Sequence, residues 1–375
     1  MDKKTLLIST AFMALALPAA AQPLAALDAM TPEELLPLAQ AEGTVTVYAF
    51  TSRIAAVEAA FEAAYPGIDM VSHDMSSTEQ ITRIKAEASA GIASVDVVYI
   101  SDAPVVFTEL LGPGLVTQYV PPRVVPLLDN SEKNPLLAQR LSTKVLMYNE
   151  EANPDGAPVS NLWELTTEDW TGRVIMVDPL QRGDYLDLMT EIVLRSDEMA
   201  SAYEAEFGQP IALDDGIENA GQQFIVDLFE NDVIMVSSTD DVNAAIGALG
   251  QDNPPVGFTS YSDRRDNEDE GWALQVANDV TPANGIIFPA VLAVSSTSAH
   301  PAAARLVIDF LMGDDSETGG EGFKPFYVAG DYATRSDIAS HPDAVPLADF
   351  SAWSIDPAAT AQIRQDVGDL ILSLQ

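Results

Sequence analysis

The sequence contains no cysteine and only three histidines, His73, His300 and His341, in 375 residues. Without cysteine there is no disulfide framework, no thiol nucleophile and no Cys-ligated zinc or iron–sulfur site. The histidines lack metal-ligand spacing, so we expect no metal centre and no cofactor. The sequence also lacks a Walker loop, a Gly-x-Ser-x-Gly elbow and a His-Glu-x-x-His motif, and it therefore predicts a protein that is not an enzyme.

Positive charge is scarce as well. The chain carries 18 Lys and Arg against 57 Asp and Glu, which gives a formal net charge of −39. Nucleic acids and anionic lipids bind through a basic surface, so this composition argues against either as a partner. Hydrophobic residues make up 47% of the chain, enough to form a large core and to exclude global disorder.

Residues 1–21 have the pattern of a secretory signal peptide. Lys3 and Lys4 precede a mostly apolar run over residues 6–17, and Ala19-Ala20-Ala21 forms a small-residue cleavage site. The run is shorter than the roughly 20 residues that span a bilayer. We expect cleavage before Gln22 and export of the mature chain to a Gram-negative periplasm.

Short apolar strands alternate with helical segments along the rest of the chain. The predicted strands are 44–50, 68–72, 95–100, 145–148, 174–177, 233–236, 256–258 and 286–294. This alternation predicts an α/β fold with two lobes, each a mostly parallel sheet flanked by helices. We place one lobe at 22–141 plus 286–375 and the other at 142–285, with two strands as the hinge between them.

Small hydroxyl residues follow several predicted strands, where the chain turns into a helix. Ligands of α/β sheets bind beyond the carboxyl ends of strands, where helix N-termini offer N–H groups and a positive dipole end. Serine and threonine also cap helices, so each residue alone fits a structural role. As a set, we interpret them as the polar lining of a cleft. The candidates are Thr51, Ser52, Ser77, Thr78, Ser101, Ser238 and Thr239.

Two arginines are further candidates for the cleft. Arg182 follows the predicted strand 174–177, and a guanidinium fork matches a carboxylate or a phosphate in two hydrogen bonds. The alternative role for Arg182 is a surface ion pair with Asp184. Arg53, after the first strand, offers the same chemistry.

Taken in order, these segments resemble a periplasmic solute-binding protein of an ABC importer, in the subgroup of ferric-ion, thiamine, phosphonate and sugar-phosphate binders. The resembling stretches include Val95-Asp96-Val97-Val98-Tyr99, Leu146-Met147-Tyr148-Asn149, Trp170-Thr171-Gly172-Arg173-Val174 and Pro282-Ala283-Asn284-Gly285. The resemblance implies a periplasmic-binding-protein fold of type II, with the ligand held between the lobes. It also implies three partners: a small-molecule solute, an inner-membrane permease and the ATPase subunit of that permease. We expect the protein to be a monomer.

The predicted function is capture of a small, oxygen-rich, anionic organic solute, phosphorylated or carboxylated, by closure of the lobes. Ferric iron is the first alternative, because Tyr261 lies about where the ferric binders of this family place adjacent tyrosines. Ser260 and Ser262 flank Tyr261, however, so the tyrosine pair is missing. One tyrosine still suits hydrogen bonding or stacking on an organic ligand. The sequence also leaves open a cationic ligand such as thiamine or a polyamine, a sensor without transport and an exported hydrolase.

Overall fold

The computed structural model describes residues 24–375, so the predicted signal peptide lies outside the described residues. The main strands are β1 (Thr44–Ala49), β2 (Asp69–Asp74), β3 (Val97–Ile100), β4 (Leu137–Asn149), β5 (Val174–Val177), β6 (Ile234–Val236), β7 (Val256–Thr259) and β8 (Gly285–Ser295). Shorter strands pair at their edges, at Val116–Thr117, Leu274–Val276, Tyr332–Ala333 and Trp353–Ser354.

Helices connect these strands. The longer ones are α1 (Pro32–Glu42), α2 (Ile54–Ala64), α3 (Ser77–Ala90), α4 (Gly183–Leu194), α5 (Ser196–Phe207), α6 (Ala220–Glu230), α7 (Thr239–Gly247), α8 (Pro301–Leu311) and α9 (Pro357–Leu374). Short helical segments lie at Leu24–Leu27, Ala103–Val105, Val106–Leu111, Asn130–Lys133, Asn267–Glu270 and Gly320–Phe323. Within residues 24–375, no helix combines the length and the apolar character needed to cross a membrane.

The main strands form one continuous mixed sheet in the order β2-β1-β3-β8-β4-β7-β5-β6. At one end β1 pairs in parallel with β2 and β3, and at the other end β5 pairs in parallel with β6 and β7. We call the unit around β1–β3 the first lobe and the unit around β5–β7 the second lobe. Helices cover the sheet, which confirms the predicted α/β fold.

Two long antiparallel strands, β4 and β8, connect the lobes. They pair with each other over most of their length, from Gly285 opposite Val145 to Leu292 opposite Leu137. On its other edge β8 pairs with β3 of the first lobe, and on its other edge β4 pairs with β7 of the second lobe. A change in the angle between the lobes must therefore bend or twist this pair of strands.

Separate apolar cores stabilise the two lobes. One cluster joins β1, β3, α2 and α8 of the first lobe through residues such as Val47, Phe61 and Leu306. Another joins β5, β7, α4 and α6 of the second lobe through residues such as Ile175 and Phe258. The C-terminal helix α9 places Val367 and Ile371 in this second cluster. The division of the chain at residues 141 and 285 stays a prediction.

Most predicted elements agree with the structure, and the differences have local causes. The first crossing strand runs from Leu137 to Asn149, although the sequence predicts only 145–148. Its first half contains Gln139, Arg140 and Ser142, which are buried by hydrogen bonds and ion pairs rather than by apolar packing. A hydrophobic pattern does not detect such a strand.

Gly285 is required by the crossing strands. Its φ is +149°, and a Cβ there would lie 2.1 Å from the carbonyl oxygen of Lys144 on β4. We therefore expect Gly285→Ala to lower the free energy of unfolding by roughly 1–3 kcal/mol. Gly368→Ala is the matched control, because a Cβ in that helical position meets nothing closer than 3.9 Å. The control should raise stability by roughly 0.5–1 kcal/mol. Urea unfolding measures both changes, and equal values for the two variants would contradict this account.

Candidate functional site

A small cavity lies between the two lobes at the carboxyl ends of their parallel strands. It encloses about 100 Å³, compared with roughly 30 Å³ for a water molecule in the liquid. The cavity therefore has room for a small polar group. Its lining residues are Phe50, Asp74, Ser76, Ser77, Thr78, Ser101, Arg182, Gly183 and Asp184.

The first lobe contributes the start of helix α3 to the wall. Ser76 caps this helix, and its Oγ accepts a hydrogen bond from the N–H of Glu79 at 3.2 Å. The Oγ atoms of Ser77 and Ser101 lie 2.9 Å apart in a hydrogen bond. Because the first N–H groups of a helix have no partner within the helix, this wall presents donors and a positive dipole end to the cavity.

The second lobe contributes the start of helix α4 to the opposite wall. Arg182 occupies the position before the first helical residue, and its Nε lies 3.6 Å from Oδ1 of Asp184. Asp184 also forms a buried ion pair with Lys144 of β4, in which Nζ and Oδ2 are 3.1 Å apart. Lys144 Nζ donates to Ser260 Oγ at 3.1 Å and lies 4.3 Å from the ring centre of Tyr185.

The charges in this wall stabilise one another. Burial alone would raise the pKa of Asp184, but Lys144 and Arg182 outweigh burial and hold that pKa at about 2. For Lys144, burial is the largest single effect and acts against the charged form, but Asp184, Tyr185 and Asp263 together outweigh it, so the pKa of Lys144 is raised. Lys144 is therefore a cation, and it neutralises Asp184 from behind the wall.

Asp74 lies at the mouth of the cavity on the first-lobe side. Its side chain is exposed, partial burial raises its pKa, and the charge of Arg182 opposes that rise. The lining and Lys144 thus hold two carboxylates and two cations, while two helix N-termini add partial positive charge. The formal charges cancel, so the partial positive charge of the helix N-termini is what favours an anionic group.

A second cationic cluster adjoins the cavity behind Phe50. Arg140 is completely buried, with its guanidinium 5.2 Å from the ring centre of Phe50 and 4.5 Å from that of Phe326. Arg53 Nη1 lies 2.7 Å from Oδ2 of Asp331, and Arg140 Nε lies 3.1 Å from the same oxygen. Burial lowers the pKa of Arg140 to about 10 although Asp331 opposes the change.

The structure brings four of the predicted site residues together in the cavity wall: Ser77, Thr78, Ser101 and Arg182. It does not bring the other five to this wall. Thr51 Oγ1 accepts a hydrogen bond from Arg53 Nε at 3.3 Å, and Ser52 lies beside it at the start of α2. Ser238 caps α7, which begins at Thr239, by accepting from the N–H of Asp241 at 3.1 Å.

Tyr261 also lies outside the cavity wall. Its hydroxyl donates to the carbonyl oxygen of Asp343 at 3.2 Å and accepts from the N–H of Val345 at 3.3 Å. Its ring stacks on Phe350, with ring centres 5.8 Å apart. These contacts tie Tyr261 to the segment before α9.

Sequence reasoning misses Lys144 and the lining residues Phe50, Asp74, Gly183 and Asp184. Lys144 does carry a signal, because it is one of four lysines after the predicted signal peptide and lies beside the apolar run 145–148. A charged residue next to a buried strand usually has an ionic partner. The sequence suggests Asp184 only as a surface partner of Arg182, and the structure shows it buried.

The chain belongs to the family of bacterial extracellular solute-binding proteins. The profile of that family matches residues 44–318, which is most of the chain. The resemblance to a solute-binding protein is thereby confirmed. The comparison with curated proteins gives no match.

Several solved structures share the two-lobe fold. Iron-bound HitA from Pseudomonas aeruginosa has a TM-score of 0.68 and 17% identity, over 88% of this chain and 99% of that chain. AfuA from Actinobacillus pleuropneumoniae is a periplasmic binding protein with fructose 6-phosphate bound. Its TM-score is 0.65 and its sequence identity 16%, over 88% of this chain and 97% of that chain. An ABC-transporter substrate-binding protein from Agrobacterium tumefaciens has a TM-score of 0.61 and 16% identity, over 88% of this chain and 94% of that chain. At these identities the likeness establishes the fold alone.

The described residues contain no group of three or more His, Asp or Glu side chains arranged to hold a metal ion.

The low pKa of Asp184 predicts how stability depends on pH. The folded value of about 2 lies below the unfolded value of about 3.9, so the ionised group stabilises the native state above about pH 4. This contribution, roughly 2 kcal/mol, is lost as the pH falls toward 2, because the unfolded chain takes up the proton first. The stability difference between the parental protein and Asp184→Asn should therefore shrink as the pH falls.

Urea unfolding at a series of pH values between 5 and 2 measures this difference. Asp155→Asn is the control, because Asp155 is an exposed loop residue. If the stability difference between the parental protein and Asp184→Asn does not change with pH, the ion-pair account is contradicted.

The contacts of Tyr261 predict a structural role for its hydroxyl. Tyr261→Phe should lower the free energy of unfolding by about 1 kcal/mol through the lost hydrogen bonds and leave solute affinity within twofold. Tyr332→Phe is the matched control, because Tyr332 donates to the carbonyl oxygen of Val345 at 2.8 Å. Loss of a ferric-iron absorption band in Tyr261→Phe, but not in Tyr332→Phe, would instead make Tyr261 a phenolate ligand.

Proposed function

We propose that this protein is the periplasmic solute-binding component of an ABC importer and that its solute is a small anionic organic compound, phosphorylated or carboxylated. The family to which the chain belongs and its two-lobe fold support the role in solute binding. The geometry of the cavity supports the class of solute. On this proposal the protein delivers the solute to an inner-membrane permease, and a separate ATPase subunit supplies the energy.

The observation that carries the proposal is the convergence of two helix N-termini and Arg182 on one small cavity. Helix N-termini bind anions through exposed N–H groups and the helix dipole, and an arginine fork binds carboxylate or phosphate oxygens. The hydroxyls of Ser77, Thr78 and Ser101 suit the same oxygen-rich group. A volume of about 100 Å³ suits the anionic group of a solute better than a large apolar body.

The opposed walls suggest how capture works. Ser77 and Ser101 belong to the first lobe and Arg182 to the second, so an anion between them contacts both lobes only when the lobes are close together. A ligand shifts such an equilibrium only through contacts that the closed arrangement gains. The strands β4 and β8 supply the hinge in this proposal.

Ferric iron is the alternative that a comparison favours, because HitA is described as iron-bound. AfuA is described with fructose 6-phosphate, so proteins of this fold bind either kind of solute. In this chain the Tyr261 hydroxyl is held by Asp343 and Val345 rather than turned to the cavity. We therefore place the organic anion first.

One contact bears on the hypothesis of an exported hydrolase: Lys144 Nζ donates a hydrogen bond to Ser260 Oγ. A serine nucleophile needs a neutral base to take its proton. Asp184 raises the pKa of Lys144, so the lysine is charged and acts as a donor to Ser260. This favours binding over catalysis.

Arg182→Ala tests the proposed anion contact. We expect the variant to bind a phosphorylated or carboxylated solute at least tenfold more weakly, about 1.4 kcal/mol. Calorimetry measures the affinity for a solute first found in a thermal-shift screen, where roughly 1,000-fold excess over Kd adds about 4 kcal/mol to native stability. Arg83→Met is the control, because Arg83 pairs with Glu87 on α3 and does not line the cavity. Equal affinity of Arg182→Ala and the parental protein would remove Arg182 from the site.

A further inference from the structure

The C-terminal helix α9 contacts both lobes beside the cavity. It packs along α4 of the second lobe, with Val367 and Ile371 in the second-lobe core. It also contacts the segment Ala103–Val105 of the first lobe, which begins directly after Asp102. Arg364 projects from α9 at this junction.

Arg364 joins groups from both lobes. Its Nη2 lies 3.0 Å from Oδ2 of Asp102 in the first lobe and donates to the carbonyl oxygen of Gly183 at 3.2 Å. Its Nε donates to Oδ1 of Asp187 on α4 at 2.7 Å. Asp102 and Asp187 are 2% and 1% exposed, so these contacts are shielded from water.

The contact also brings the two cavity walls against each other. Gly183 lines the cavity, and a Cβ at this position would lie 2.1 Å from Oδ2 of Asp102 and 2.9 Å from Nη2 of Arg364. A side chain at position 183 would have to displace the carboxylate of Asp102, so glycine permits this close approach of the second lobe. Ser101, the neighbour of Asp102, lines the cavity on the first-lobe side. The contact through Arg364 thus lies directly behind the proposed anion site.

The charges of this cluster do not balance. Two buried carboxylates share one guanidinium, and Oδ1 of Asp102 and Oδ2 of Asp187 have no hydrogen-bond partner among the described residues. Burial raises the pKa of both groups, and Arg364 opposes the rise at each. Arg364 and Asp187 both lie on the second-lobe side, so separation of the lobes would return Asp102 alone to water. Closing therefore dehydrates Asp102, and Arg364 is the group that offsets this cost.

We propose that Arg364 is a positioning residue that holds the two cavity walls together and sets the balance between the closed and open arrangements of the lobes. It is not among the residues that line the cavity, so it acts on the solute through Gly183 and Asp102. The role of Arg364 in solute capture rests on the proposed function, whereas its contacts with Asp102, Gly183 and Asp187 involve no solute.

The absence of cysteine allows a direct test by spin labelling. Ser89→Cys on α3 and Ser201→Cys on α5 place one exposed thiol on each lobe. Pulsed electron paramagnetic resonance then gives the distribution of distances between the two labels in the ligand-free mature protein. We expect Arg364→Met to shift this distribution to longer distances, with at least a tenfold fall in the ratio of closed to open molecules.

Two further variants separate positioning from folding. Arg364→Lys keeps the charge but loses the fork, so it should give a ratio between those of the parental protein and Arg364→Met, and it serves as the test if Arg364→Met does not fold. Arg195→Met is the matched control, because Arg195 Nε binds the buried Glu191 at 2.7 Å and the polar partners of its side chain, Glu191, Glu198 and Ser354, do not include Asp102 or Gly183. Circular dichroism confirms that each variant is folded.

The outcomes distinguish this inference from the proposed function. Equal distance distributions for the parental protein and the Arg364 variants, or an equal shift in Arg195→Met, would overturn the role of Arg364. Addition of inorganic phosphate, as the simplest anionic probe, should shorten the distances in the parental protein. A lack of response to phosphate and to organic phosphates would count against the proposed solute, while a ligand-free shift in Arg364→Met would still support the positioning role.

Discussion

The buried ion pair between Lys144 and Asp184 ties the crossing strand β4 to the start of helix α4. Taking a charge out of water costs several kcal/mol unless an opposite charge and hydrogen bonds replace the water, so each group requires the other. Asp184 occupies the first turn of α4, and the pair therefore fixes where that helix begins. This places Arg182 and Gly183 at the cavity wall. The interaction that makes the interior stable also defines the geometry of the candidate site.

The distribution of charge separates the surface from the site. The chain as a whole carries a net charge of −39, yet scarce cations collect between the lobes and at the hinge. These cations are Arg53, Arg140, Lys144, Arg182 and Arg364. Surface charge is screened beyond roughly 8 Å at physiological salt, whereas buried charges are screened much less. Each of these cations also has a buried carboxylate partner. A solute inside the cleft therefore experiences the local ion pairs and the helix N-termini more strongly than the acidic surface.

Composition and order are enough to predict the fold and part of the cavity wall. Regular alternation of apolar strands and helices predicts the α/β architecture, and Ser77, Thr78, Ser101 and Arg182 are identified because the turns after parallel strands meet at one edge. The same rule also selects Thr51 and Ser238, which cap or brace their own turns instead. This rule does not identify Lys144 and Asp184, because these residues are 40 positions apart in the sequence and only the tertiary structure brings them into one ion pair. Local patterns identify helix starts, but they do not show which helix starts face each other.

The central claim is that an anion binds between the N-termini of α3 and α4. A crystal structure of the mature protein, purified without unfolding so that it keeps its solute, tests this most directly. Our account predicts density for an anionic group in contact with Ser77 and Arg182, and no anomalous signal at the iron absorption edge. An iron peak beside Tyr261, or an anion bound outside the cavity, would contradict the account.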